Sequence, residues 1–279
     1  MKPLLKPLFF SFLFLSISFS MKAQEIALQM YSLRNEMKID PTNYLQMIPT
    51  WGINALEGGG GYGYSETEYQ KLLAENNLRT IGVGADYDQL EKDVQPIIDA
   101  AKRANAIYAT CYWIPHTTGP ISLEEGKKAT ELFNSAGAKL KEAGITLLYH
   151  PHGYEFAPAG KGVVMDYLLE NAKDFSFNLD VYWIKMGGGD PLAMMKKYRG
   201  KFPVLHLKDR EKGTANTKNG EGDVETNVVL GTGDIDIKGI ILEAKKQGTD
   251  FLTIEDESSR SVSQIPQSVA YINMVLGRK

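Results

Sequence analysis

Predominantly apolar runs of four or five residues recur along this chain, each separated from the next by a longer stretch with helical spacing. They cover residues 26–30, 53–56, 80–83, 108–112, 145–149, 175–179, 204–207 and 251–254. Short apolar runs bounded by turn residues predict buried strands of a parallel sheet. The segments between them carry helix signals. Asp40-Pro41-Thr42 supplies a cap and a first-turn proline for a helix ending at Trp51-Gly52, and Ser65-Glu66-Thr67-Glu68 opens a second that ends near Asn77. Residues 90–105 form the third. Ser122-Leu123-Glu124-Glu125 is a capping box for a fourth that stops at Gly144. Residues 163–171, a segment capped by Asp190-Pro191, residues 236–248 and residues 265–276 complete the set. Eight strands alternating with helices predict a single-domain (β/α)8 TIM barrel of the α/β class. The competing doubly wound sheet lacks its phosphate-binding turn, because no G-x-G-x-x-G follows the first strand. Gly58 to Gly61 has no P-loop lysine and reads as a tight turn. Residues 210–230 are polar and too long for a bare barrel connection, which suggests a lid or substrate loop.

The N-terminus changes the domain picture. Two lysines lie within the first six residues, residues 7–20 are almost wholly apolar, and Met21-Lys22-Ala23-Gln24 follows. This is the layout of a cleaved signal peptide over residues 1–24, shorter than the ~20 apolar residues of a membrane span. It predicts a barrel over residues 25–279, periplasmic or secreted, with no stable membrane insertion after cleavage. About 255 residues remain, close to the ~250 of a typical barrel of this kind. A formal net charge of −3 and the lack of a Lys/Arg stripe give no electrostatic case for nucleic acid. The single cysteine, Cys111, excludes an intrachain disulfide and is expected to pack in the fourth strand. No G-x-S-x-G elbow is present, so a nucleophilic triad is not indicated. Oligomeric state is not readable from these residues.

Chemistry concentrates where the later strands end. Leu147-Leu148-Tyr149-His150-Pro151-His152-Gly153-Tyr154-Glu155-Phe156 runs from an apolar segment into two histidines and a glutamate. The sixth, seventh and eighth strands end similarly, at Asp180, at His206 through Asp209, and at Glu255-Asp256-Glu257. Barrel active sites lie at the C-terminal ends of strands, and adjacent strands stand roughly 4.8 Å apart. His150, Asp180, His206 and Glu255 can therefore ring one divalent metal, and imidazole with carboxylate suits Zn, Mn, Fe or Co. His152 alternates to the side of His150 and is either a ligand in its place or an acid/base. Glu257 shares a face with Glu255, and Asp256 points the other way. Lys208 faces inward with His206; a depressed pKa would make it a base, whereas a salt bridge to Asp209 or Glu257 would make it structural. Glu57, at the end of the second strand, is a candidate acid/base or sugar-hydroxyl acceptor. Tyr31, Trp113 and Trp183 top strands one, four and six and are candidates for stacking on a sugar. Glu155 is either a substrate contact or a surface carboxylate, and His116 reads as a loop residue.

Six stretches in order complete the reading: Gln29-Met30-Tyr31-Ser32-Leu33-Arg34, Tyr149-His150-Pro151-His152-Gly153-Tyr154-Glu155-Phe156, Leu179-Asp180-Val181-Tyr182-Trp183, Leu205-His206-Leu207-Lys208-Asp209, Gly231-Thr232-Gly233-Asp234-Ile235-Asp236 and Ile254-Glu255-Asp256. Together they resemble the xylose-isomerase-like barrels, the sugar phosphate isomerase/epimerase and AP-endonuclease-2-like superfamily, across nearly the whole mature chain. The resemblance implies one divalent metal (Mn, Zn, Co or Mg) and a small carbohydrate substrate. It places three ligands on Asp180, His206 and Glu255. His150 stands where the epimerases carry a glutamate, so the paired glutamates of simple epimerisation are incomplete. A similar two-histidine pattern belongs to the inosose dehydratase branch, and secreted barrels of this kind resemble lyases of 3-keto-glycosides. The expected activity is therefore enolisation of a keto-sugar followed by loss of a β-oxygen. The alternatives are an isomerase or epimerase acting by proton transfer alone, and a non-catalytic sugar-binding barrel. The nucleic-acid branch uses more ligands than this chain supplies.

Overall fold

The structure, a computed structural model, describes residues 24–278. The expected signal peptide therefore lies outside the described residues, save Gln24. Among the described residues no helix is long and apolar enough to cross a membrane. The eight expected strands are all present: β1 Glu25–Gln29, β2 Ala55–Glu57, β3 Arg79–Gly84, β4 Tyr108–Cys111, β5 Thr146–Tyr149, β6 Phe175–Asp180, β7 Val204–Leu207 and β8 Phe251–Ile254. They pair in parallel in chain order, and β1 closes on β8. The protein is a single (β/α)8 barrel.

Among the described residues ten α-helices surround it: α1 Pro41–Met47, α2 Glu66–Glu75, α3 Tyr87–Lys92, α4 Gln95–Ala104, α5 Leu123–Glu142, α6 Val164–Asn171, α7 Val181–Met186, α8 Pro191–Lys197, α9 Ile237–Gln247 and α10 Ser261–Leu276. Both capping boxes form, at Ser65 with Glu68 and at Ser122 with Glu125. The helix expected over residues 90–105 is instead two. Asp93 takes extended angles, and Pro96 fits only the first turn of a new helix. The short helix α7, starting directly on Asp180, was not anticipated. α10 begins earlier than expected and continues through Pro266, because Ile265, Val269, Ile272 and Leu276 keep one face buried.

Alternation along the strands stacks the barrel interior in layers. Ala27, Ala55, Ile81, Tyr108, Leu148, Val204 and Phe251 form an apolar floor. Two residues further along most of these strands come polar groups, Gln29, Glu57, Thr110, His150, His206 and Thr253, all buried. The barrel thus has a dry plug below and a polar chamber above.

Residues 210–230 are held at both ends. Asp209–Arg210 pairs antiparallel with Asn227–Val228. The Asp209 carboxylate accepts backbone N–H groups from Gly231 and Gly233 at 2.9 Å each and from Ile235 at 3.3 Å. A Cβ on Gly233 would fall 2.1 Å from the Arg210 carbonyl oxygen, so the close approach demands glycine. Between these anchors the segment reaches the barrel mouth, where Gly220 packs near Trp113 and Tyr154.

Candidate active site

β6 and β7 are registered so that Asp180 lies beside His206, and β7 and β8 so that His206 lies beside Thr253. With His150 just past β5 and Glu255 just past β8, the four side chains meet. One donor atom from each of His150, Asp180, His206 and Glu255 lies within 4.8 Å of the others, and all four residues are buried. Asp180 divides its oxygens. Oδ1 accepts the Trp183 N–H at 2.9 Å and caps α7. Oδ2 is buried without a hydrogen-bond partner, 3.9 Å from His150 Nε2. The Lys208 ammonium stands 3.8 Å away, beyond hydrogen-bond reach, so the oxygen keeps an open acceptor site, and two imidazoles with two carboxylates around it fit a divalent metal.

His206 is gripped from both sides. Its Nδ1 lies 2.9 Å from Glu255 Oε2 and its Nε2 lies 2.8 Å from Glu57 Oε2. Burial disfavours its charge, but Glu57 and Glu255 prevail and push the pKa up to about 10. For Glu255, burial is outweighed by Lys208 and His206, which hold its carboxyl well below the usual range. His150 and His152 lie in ring contact at 4.6 Å, and burial lowers both: His150 well below the usual value, His152 to about 4. His152 borders the cavity with an unpartnered Nδ1, and the four-residue group contains His150 and not His152.

Three expectations are corrected. Of the two readings of Lys208, the salt bridge to Glu257 holds and the depressed pKa does not. Burial opposes its charge, but Glu255, Glu257 and Asp180 raise the pKa instead, and the ammonium is paired with Glu257. A fully buried cation locked among three carboxylates is a poor base. Glu57 does not face the cavity. It lies beneath, where its Oε1 accepts from Asn178 at 2.6 Å, from Tyr112 at 2.9 Å and from Thr110 at 3.1 Å. Glu155 is neither a surface carboxylate nor a cavity group. Gly153, at φ +86°, turns the chain so that Glu155 is buried, bonded to the Tyr149 hydroxyl and accepting the His152 N–H at 3.0 Å. Burial pushes its carboxyl up to about 7. A carboxyl that binds its proton more tightly in the folded state contributes stability below about pH 4.5 that is lost as pH rises through about 7. Glu155→Gln should therefore gain on the wild type by about 3 kcal/mol between pH 4 and pH 8 in denaturant melts. A difference independent of pH would contradict this placement.

Several other residues lie where the sequence places them. Cys111 is buried in β4, and burial pushes its thiol up to about 12, which makes it inert. His116 stacks on Trp113 at 4.8 Å as a loop residue. Glu257 borders the cavity beside Glu255, whereas Asp256 turns away to accept from Ser258. The cavity above the histidines measures about 620 Å³, and Tyr31, Trp113 and Trp183 border it. Sequence reading missed Gln29, Arg34, Tyr62 and Tyr112 in this wall and Asn178 beneath it. Alternation back from Asp180 would have pointed to Asn178. The Tyr112 hydroxyl, joined to Glu57 and to Gln29 at 3.0 Å, had no comparable signal.

A closed parallel barrel with a polar chamber at the strand ends is the architecture of a barrel enzyme. The family described as the xylose isomerase-like TIM barrel matches residues 46–273, and the chain belongs to it. Inosose dehydratase of Clostridium perfringens (strain 13 / Type A) is 29% identical over 153 residues. That match covers 51% of this chain and 51% of the dehydratase, so it spans about half the length of the relative. A sugar phosphate isomerase/epimerase from Parabacteroides distasonis ATCC 8503 superimposes with a TM-score of 0.72 at 24% identity, covering 92% of this chain and 96% of that one. The IolI protein with a bound zinc atom superimposes with a TM-score of 0.67 at 12% identity, over 91% and 96% of the two chains.

Proposed function

We propose that this chain is a divalent-metal-dependent carbohydrate lyase that enolises a keto-sugar, a 3-keto-glycoside or close relative, and expels the oxygen β to the ketone. We place it outside the cytoplasm, after removal of the apolar leader. The observation that carries the reading is the make-up of the chamber. Among the described residues only one glutamate, Glu255, belongs to the four-residue group, so the paired glutamates of simple epimerisation are incomplete, while the His152 ring borders the cavity beside that group. The partial match to a dehydratase and the zinc in the structurally similar IolI protein support it.

His150, Asp180, His206 and Glu255 would hold the metal. A divalent cation there supplies Lewis acidity, which makes a hydrogen α to a carbonyl removable. His152 takes that hydrogen as a proton. The C–H electron pair becomes the new C=C bond, the C–O pair leaves with the β-oxygen, and the imidazolium gives its proton to that departing alkoxide, which is released as the alcohol. Lys208, fixed by Glu257, balances the charge of Asp180 and Glu255 from behind, 3.8 Å and 3.6 Å from their carboxylate oxygens. Tyr31, Trp113 and Trp183 orient the sugar ring. Incubating the metal-loaded protein with a 3-keto-glycoside should give an ultraviolet-absorbing enone and free alcohol in equal amounts. An epimer without enone would support the isomerase/epimerase reading, and binding without any product would support a sugar-binding barrel.

Glu57 is a positioning residue in this account. Its grip on His206 Nε2 fixes the ring so that Nδ1 faces the other ligands, a carboxylate–histidine–metal arrangement. Glu57→Gln should weaken metal affinity roughly 10–100-fold in a competition titration against a chelating dye. Affinity within twofold of the wild type would remove Glu57 from the site.

A further inference from the structure

The cavity above the histidines does not end at its aromatic wall. A second cavity of about 530 Å³ adjoins it, and the two share Gly84, Tyr112 and Trp113. Gly84 is the last residue of β3 and is exposed. Its φ lies outside the left-handed region, and a Cβ there would meet nothing within 4 Å. Neither backbone strain nor packing demands glycine at this position, and a larger side chain there would project into open space where the two cavities adjoin. The other two shared residues are firmly held. Tyr112 is fixed by its bonds to Glu57 and Gln29. Trp113 stacks on His116 and meets Tyr154 edge-on at 4.9 Å, yet remains 45% exposed. Its ring lies 5.8 Å from that of His152, so the second cavity begins one ring away from the proposed base.

The chemistry of the second cavity is distinct. Exposed Asp86, Asp88 and Gln89 line it together with Tyr87, and no lysine or arginine does. Asp86 caps α3 through the Asp88 N–H and Asp88 lies 3.6 Å from Lys92 Nζ, so part of the rim's charge is offset; the remaining carboxylate and amide oxygens accept from hydroxyl groups, an aromatic face packs against the C–H face of a sugar, and the lining itself offers no cation to hold a phosphate.

We propose that this cavity is the subsite for the leaving group, that it takes a neutral polyhydroxylated group such as a second sugar, and that Gly84 is its threshold. The proposal rests on the elimination reading: the bond broken lies between the sugar over His152 and the group beyond Gly84. The substrate is then a glycoside of disaccharide size, without phosphate.

Calorimetric titration of the metal-loaded protein with cellobiose, maltose and methyl glucoside tests the subsite without needing turnover. The wild type should prefer at least one disaccharide over methyl glucoside by about tenfold. Gly84→Leu should abolish that preference, and Gly84→Ala should keep it. The ratio of affinities does not depend on the fraction of folded protein. Disaccharides bound no better than methyl glucoside, or a preference that survives Gly84→Leu, would overturn the proposal. Assays with the 3-keto forms of the same sugars separate the two claims. A disaccharide preference without elimination leaves a second-sugar subsite at Gly84 but removes its leaving-group role and sinks the lyase, whereas elimination without the preference keeps the lyase and overturns the subsite.

Discussion

Replacing His152 by glutamine should slow removal of the α-proton from a keto-sugar by roughly 10³-fold, within the range general-base catalysis contributes. Glutamine keeps the backbone N–H that bonds Glu155 and fills similar space, but it offers no basic nitrogen. The metal content and the thermal unfolding midpoint should stay at wild-type values, because His152 lies outside the four-residue group. That separation makes the prediction specific: loss of activity with loss of metal would make His152 a ligand, and activity within tenfold of wild type would assign the base elsewhere. Glu255 is the remaining candidate, and it is the weaker one, since its charge is committed to His206 and Lys208.

The second large effect concerns Asp180. Asp180→Asn should lower metal affinity by at least about 100-fold, beyond the effect of altering residues that only support a ligand. The fold should survive, since an asparagine oxygen can still accept the Trp183 N–H that caps α7. What disappears is the charge on Oδ2, which faces His150 and Lys208 without a hydrogen bond to either. Equilibrium dialysis against Mn²⁺, Zn²⁺ or Co²⁺, alongside circular dichroism, reads both quantities. Unchanged affinity in a folded variant would show that Asp180 serves only as a cap.

The eight strands were legible because each apolar run ends abruptly in a turn or a polar group, and parallel barrel strands need little more. The convergence of His150, Asp180, His206 and Glu255 was legible for the same reason, since successive strand ends are spatial neighbours. What stayed hidden depended on how side chains pair once brought together. Lys208 looks from sequence like a tunable amine, and only the positions of Glu257, Glu255 and Asp180 around it decide that its charge is reinforced. Glu155 looks like a loop carboxylate until the turn at Gly153, whose absent Cβ would lie 2.8 Å from the Trp183 carbonyl oxygen, carries it inside. The role of Glu57 beneath His206 required knowing that β2 and β7, far apart in the chain, point polar residues into the same layer. The break at Asp93 and the helix starting on Asp180 were lost to short-range angles that periodicity does not report.

The most direct test of the account is release of label from a 3-keto-glycoside deuterated at the carbon α to its ketone, measured with metal-loaded protein and again after chelation. The account predicts that label passes into water at a rate that saturates with substrate and stops when the metal is removed. Label that stays on the sugar after loading with each candidate metal, or that is lost equally fast from the chelated protein, would contradict it.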